Sequence, residues 1–150
     1  MKYVVFWNSK EGFVARALGY AIKAFDLGCH GQMVPVHFNS KSNLINMTAY
    51  GVLSRDGSLY ITLINRETAA HRDVNVNFSA GNSHTHGQTM FLAATNNDIT
   101  ATNGVTLGGA AIKDDGAWSG TWTSLAAPSN NRQFSVKLPT ASAAVIRLYD

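Results

Sequence analysis

From Asn46 to the C-terminus the chain keeps a period of two, and this narrows the choice of fold more than any other feature. Successive side chains of a strand point to opposite faces, so an apolar residue at every second position marks a half-buried strand. Met47–Ser54 and Ser58–Ile64 flank Asp56-Gly57, a dipeptide suited to a tight hairpin turn. Leu59, Ile61 and Leu63 fall on one face, while Tyr60, Thr62 and Ile64 fall on the other, so the second face is not purely polar. Val74, Val76 and Phe78 alternate with Asp73, Asn75 and Asn77, and Phe134, Val136 and Leu138 alternate with Ser135 and Lys137. Gln88–Ala94 reads as another strand, Val105–Leu107, Ala110–Ile112 and Trp118–Thr123 as short ones, and Ala141–Tyr149 as the last. Seven or eight short strands between Asn-, Gly- and Ser-containing loops predict a mainly β protein, an antiparallel β-sandwich.

The first 38 residues have a different character. Phe13, Val14, Ala17, Leu18, Ala21, Ile22, Ala24, Phe25 and Leu27 recur at spacings dominated by three and four, which predicts one amphipathic helix over Ser9–Leu27. Ser9 is placed to cap it, Glu11 to sit in its first turn and Gly28 to stop it. Gln32–Phe38 is short and apolar, and Pro35 argues against a central strand there. The expected division is an N-terminal strand and helix over 1–38 and a sandwich over 39–150. A helix with a wide apolar face must cover something. It is expected to fold back onto the sandwich or to pair two chains.

Composition excludes several classes. The chain has 150 residues, the size of one domain. Its net charge is +3, and its basic residues are scattered without the run or stripe that nucleic-acid binding requires. Tyr3–Trp7 is too short for a signal-peptide core, and no stretch approaches the ~20 apolar residues of a membrane span. The chain is therefore expected to be soluble and to carry no address of its own. One cysteine, Cys29, allows no internal disulfide and reads as a small apolar residue. Gly-x-Ser-x-Gly does not occur, and the glycine pair of Thr106–Ala111 lacks the Lys-Ser/Thr of a phosphate loop, so no cofactor is expected.

The order of features resembles a known family. "ARALGYAIKAFDLGCHGQMVPV" resembles the last helix of a (β/α)₈ glycoside hydrolase barrel and the connection leaving it. "TAYGVLSRDGSLYITLINRE" resembles the first hairpin of the β-sandwich that follows such barrels. "GVTLGGAAIKDDGAWSGTW" looks like its loop-and-hairpin section, and "LPTASAAVIRLYD" is similar to its closing strand. The family named by this resemblance is glycoside hydrolase family 79, the β-glucuronidase and heparanase-like enzymes, with related sandwiches in families 30, 39 and 51 of clan A. The resemblance implies a C-terminal accessory domain that packs against a barrel. It also implies a parent enzyme that is secreted or periplasmic. The family's two catalytic glutamates lie on barrel strands, and those positions have no counterpart here. The resemblance thus points to a truncated C-terminal portion of such an enzyme, or to a free-standing descendant.

Three sets of residues carry possible chemistry. Glycoside hydrolysis needs two carboxyl groups, about 5–5.5 Å apart for retention and about 6.5–9.5 Å for inversion. Glu67 and Asp73, on either side of the loop 68–72, are the one pair that local geometry can bring close. The competing reading is a hairpin end in which Asn65 satisfies loose backbone groups and Arg66 pairs with Glu67, Asp73 or a partner domain. His84 and His86 would face the same side of a strand and meet one metal if His71, Asp73 or another residue supplied a third ligand; an exposed polar loop is the alternative. His30 and His37 flank the exit from the helix without a visible partner. Trp118 and Trp122, four apart, would share one face of a strand. They would form a platform for sugar rings if exposed, and core if buried, and a carbohydrate-binding module would use Trp118, Trp122 or Tyr60. The function expected is a non-catalytic accessory domain. The alternatives are a carbohydrate-binding module and a small stand-alone glycoside hydrolase.

Overall fold

A computed structural model of the chain describes residues 4–10, 12–39, 45–68, 72–81, 84–126, 128 and 133–150. A hairpin of β1 (Phe6–Ser9) and β2 (Gly12–Ala15) leads into helix α1 (Ala17–Gly28). The strands β3 (Gln32–Val34), β4 (Met47–Leu53), β5 (Leu59–Asn65), β6 (Val74–Phe78) and β7 (His86–Ala94) follow. A 3₁₀ turn (Thr95–Asn97) then precedes β8 (Val105–Leu107), β9 (Thr123–Ser124), β10 (Phe134–Leu138) and β11 (Ser142–Tyr149).

The main sheet runs β3-β4-β5-β11-β7-β8, with β9 added to β7, and every pairing is antiparallel. The predicted hairpin is β4–β5. Gly57 adopts φ +83° in its turn, and the Asp56 carboxylate accepts the Ser58 N–H at 3.0 Å. Ile61 and Leu63 join Met47, Ala144, Ile146 and Leu148 on one face. That face is covered by the two-stranded sheet β6–β10, whose Val74, Val76, Phe78, Phe134, Val136 and Leu138 point inward. Each fully buried side chain of this kind stabilises the fold by roughly 1.5–3 kcal/mol.

The opposite face of the main sheet is covered by α1 and by the segment 105–122. Tyr20, Ala24 and Gly28 are buried there with Met90, Val105, Leu107 and Val145. Strand β11 therefore lies between two cores, which explains its nearly unbroken apolar sequence: Ala144, Val145, Ile146 and Leu148 are each at most 1% exposed. The fold is mainly β, a sandwich with one helix among the described residues. No helix among those residues is long and apolar enough to cross a membrane.

The N-terminal segment departs from its helical pattern. Residues 9–15 belong to the β1–β2 hairpin, in which Trp7 opposes Val14 and Asn8 opposes Phe13. Gly12 at φ +124° interrupts helical geometry, and the aromatic and β-branched residues beside it suit a strand. Ser9 opposes Gly12 in that ladder, so it does not cap α1; Arg16 occupies the N-cap position without a capping hydrogen bond, its guanidinium donating instead to the Thr102 carbonyl at 2.8 Å. Glu11 lies outside the described residues. Gly28 is the last helical residue, and its smallness serves close packing. A Cβ there would stand 3.2 Å from Val145 Cγ1 and 3.3 Å from Thr62 Oγ1.

One local expectation holds, that of Pro35, and two others do not. Pro35 follows β3, which is an edge strand paired only with β4 among the described residues. Ala110–Ile112 makes a single bridge, Leu107 to Ala110, instead of a strand. Of Trp118–Thr123 only Thr123 is in a strand, because Gly116 at φ +81° and the packing of Trp118 against Gly120 hold this stretch as a loop.

Candidate functional site

The end of β5 is a knot of backbone hydrogen bonds. Asn65 is buried, and its Nδ2 donates to the carbonyl oxygens of Arg72 (3.1 Å), Pro139 (3.0 Å) and Leu138 (3.4 Å). Its Oδ1 accepts the Glu67 N–H at 3.1 Å. Glu67 in turn accepts the Asn46 N–H at 2.8 Å through Oε1. Asp73 accepts the N–H (3.1 Å) and hydroxyl (3.4 Å) of Thr140 and pairs with Lys137 at 3.0 Å. The Lys137 ammonium, followed by the Thr140 N–H, holds the Asp73 carboxyl below the usual carboxylate range. Each carboxylate thus has its own set of backbone or cationic partners. The Arg66 guanidinium has no hydrogen-bond or ion-pair partner among the described residues.

His84 and His86 have separate partners. His84 lies outside β7, with its ring nitrogens 3.2 Å from the Ala80 carbonyl oxygen and 3.1 Å from that of Gly57. His86 begins β7, contacts the Thr85 hydroxyl at 2.9 Å and stacks on Tyr149 at 5.6 Å. No group of three His, Cys, Asp or Glu side chains suited to a metal occurs among the described residues, and His71 lies outside them. His30, which showed no partner in the sequence, meets Asp26 at 3.0 Å, one helical turn back.

The three candidate aromatics, Trp118, Trp122 and Tyr60, are built into packing. Trp118 donates its indole N–H to the Leu107 carbonyl at 2.9 Å, and Lys23 stands over its ring at 5.5 Å from the centroid. Trp118 and Trp122 are half-buried against the helix-side core and do not share a strand face. Tyr60 belongs to a cross-strand row that alternation alone did not reveal. Arg147, its direct partner on β11, lies 5.9 Å from the Tyr60 centroid and 5.3 Å from that of Tyr149. The same guanidinium donates to Ser58 Oγ and to Asp56 Oδ2, the latter at 3.3 Å. The Ser58 N–H is the main reason that the Asp56 carboxyl is held below its usual range.

Two concavities lie among the described residues. A broad cleft of about 690 Å³ lies between the helix exit and the hairpin turn, lined by His30, Gln32, Leu53 and Arg55 among others. A smaller cavity of about 240 Å³ lies where α1 begins, between the ends of β5 and β7 and the start of β11.

A large apolar surface lies elsewhere. Leu18, Ile22 and Phe25 form an exposed stripe on α1 at spacings of four and three, and Phe25 is 70% exposed. The hairpin adds exposed Phe6, Trp7, Phe13 and Val14. Helix α1 is thus apolar on the side that packs on the sheet and on this second stripe as well.

No protein-family model and no curated protein sequence matches the chain. Solved structures do. An α-L-arabinofuranosidase from Thermotoga maritima matches 95% of this chain with a TM-score of 0.70 at 14% identity, over 31% of its own length. A family 51 α-L-arabinofuranosidase from Thermotoga petrophila matches 93% with a TM-score of 0.63 at 15% identity, over 30% of its length. The catalytic domain of a family 30 xylanase from Talaromyces cellulolyticus matches 97% with a TM-score of 0.61 at 12% identity, over 27% of its length. The chain spans less than a third of each of these proteins, and its fold is one found within glycoside hydrolases of families 51 and 30.

Proposed function

We propose that the chain is a non-catalytic accessory part of a glycoside hydrolase, equivalent to the C-terminal β-sandwich of a family 79-like enzyme, and that it supports a (β/α)₈ barrel. One observation carries this reading: α1 is apolar on two sides, and the sandwich covers only one of them. A contiguous exposed apolar surface of this kind marks an interaction face. Leu18, Ile22 and Phe25, at four- and three-residue spacing, suit packing against another helix. The solved structures similar to this chain contain about three times as much polypeptide, room enough for a second domain. The partners already held by Glu67 and Asp73 agree with catalysis residing elsewhere.

Assaying the purified chain against a panel of aryl glycosides, with glucuronides and arabinofuranosides included, tests the first half of the proposal. No turnover is expected; turnover abolished by Glu67→Gln or Asp73→Asn would overturn it. Sedimentation of the chain alone tests the second half. A barrel-docking face predicts a monomer that binds an apolar dye at the helix stripe. A dimer dispersed by Ile22→Lys would instead assign that face to a second copy.

A further inference from the structure

We infer that the cavity at the start of α1 is a binding site for a small hydrophobic carboxylate, a single ring or branched carbon skeleton bearing one negative charge. Its walls are apolar: Ile64, Leu92, Ile99 and Val105 stand around Ala17 and Ala143. The space exists because Ala143, on the central strand β11, directly opposes Ile64 on β5 and Leu92 on β7. A small side chain between two large ones leaves a hollow that α1, beginning at Ala17, does not fill. An apolar cavity of about 150 Å³ suffices for a benzene-sized group. The volume of about 240 Å³ therefore leaves room for such a ring and a short substituent.

Two observations argue for a built site. Ala141, in its wall, holds φ 49°, a left-handed conformation that residues other than Gly, Asn and Asp rarely adopt, and the neighbouring Asn96 and Asn97 share that region at φ 57° and 54°. Such outliers cluster where surrounding structure enforces a particular shape. The second observation concerns charge. Arg66 lines the cavity, and its guanidinium has no hydrogen-bond or ion-pair partner among the described residues. Asp98 also lines it, but its Oδ1 accepts both the N–H and the hydroxyl of Thr100, at 2.8 and 2.7 Å. Asp98 keeps its negative charge but is turned to Thr100, so Arg66 is the lining cation that can meet an anionic head on an apolar body. This inference is independent of the accessory role, because it rests on no partner domain.

The test uses three probes with one apolar body and different charge: phenylacetate, phenylacetamide and phenethylamine. Each is titrated into the intact chain and followed by amide chemical shifts. Phenylacetate is expected to bind in the millimolar range, as ten heavy atoms allow. A single exposed ion pair makes it up to about fivefold tighter than the amide. Arg66→Gln should abolish that difference, and Ala143→Leu should abolish binding of all three. Ala101→Leu, in the loop that walls the cavity, fills the same space without touching the central strand and guards against a folding failure of the first variant. No shifts at cavity residues up to about 20 mM, tighter binding of the amine, or binding that survives both filling variants would each overturn the inference.

Discussion

The side-chain amide of Asn65 donates to the carbonyl oxygen of Pro139 at 3.0 Å, tying the end of β5 to the turn that enters β11. The same amide reaches Arg72 and Leu138, so one buried side chain ties two separate backbone segments to the end of β5. Asn65→Leu keeps the branched shape, with bulkier methyl groups, and removes every donor. It is expected to cost about 2–3 kcal/mol, because carbonyls out of reach of water lose their partner. The midpoint of urea unfolding measures it, and a change under 0.5 kcal/mol would be at odds with a shared hub.

Asp73 ties Thr140 and Lys137 to the same region. Its carboxyl is held below the ordinary range, chiefly by the Lys137 ammonium and then by the Thr140 N–H. A carboxyl lowered on folding binds fewer protons folded than unfolded, so stability rises with pH through this window. The contribution is present above the unfolded Asp value of 3.8 and is lost as pH falls through the lower folded value. Urea midpoints between pH 7 and pH 2.5 should fall less steeply in Asp73→Asn than in the parent. Parallel profiles would remove Asp73 from the acid response.

Gly120 touches Trp118 so closely that any Cβ would overlap the indole ring and the Leu107 carbonyl. Gly120→Ala should therefore displace Trp118 from its hydrogen bond to Leu107 and destabilise the fold by about 3 kcal/mol. Tryptophan emission should shift to the red. Unchanged emission together with unchanged stability would mean that the loop yields freely.

The stripe on α1 calls for the opposite outcome. Leu18→Gln, Ile22→Lys and Phe25→Glu remove apolar surface that the sandwich does not cover, so each should change stability by less than about 0.5 kcal/mol. Together they should lower dye binding and raise solubility. A loss of several kcal/mol from the triple variant would show that the stripe is part of this chain's own core.

Gly28 sets two local effects against each other. Alanine is the better helix former by up to about 1 kcal/mol. Its Cβ would meet Val145 Cγ1 at 3.2 Å, on a central strand that has little room to move. Overpacking of this kind costs about 1–3 kcal/mol, so Gly28→Ala should be net destabilising in thermal unfolding. A raised melting temperature would mean that propensity wins.

Much of the sandwich was legible from residue order. Val74–Phe78 and Phe134–Leu138 alternate strictly, and a period of two leaves little choice of which face enters a core; the β4–β5 hairpin was marked by its Asp56-Gly57 turn. The partial apolarity of Tyr60, Thr62 and Ile64 also signalled a second covered face, which α1 and the segment 105–122 supply. The N-terminal hairpin was not legible. Phe13, Val14 and Ala17 fit a helical spacing as well as a strand followed by a helix, and short apolar runs do not separate the two. Trp118 and Trp122 were equally open, because the same residues serve a platform or a core depending on what packs over them.

The sequence by itself therefore determined the class of fold, the β4–β5 hairpin and the inward faces of the long strands, since these follow from local periodicity and turn chemistry. Only the tertiary structure decided that β11 runs between two cores and that Arg147 lies over Tyr60 and Tyr149. It alone showed that Ala143 opens a cavity beside Arg66. Those relationships join residues far apart in the chain, and their strength depends on register between strands, which no local pattern encodes.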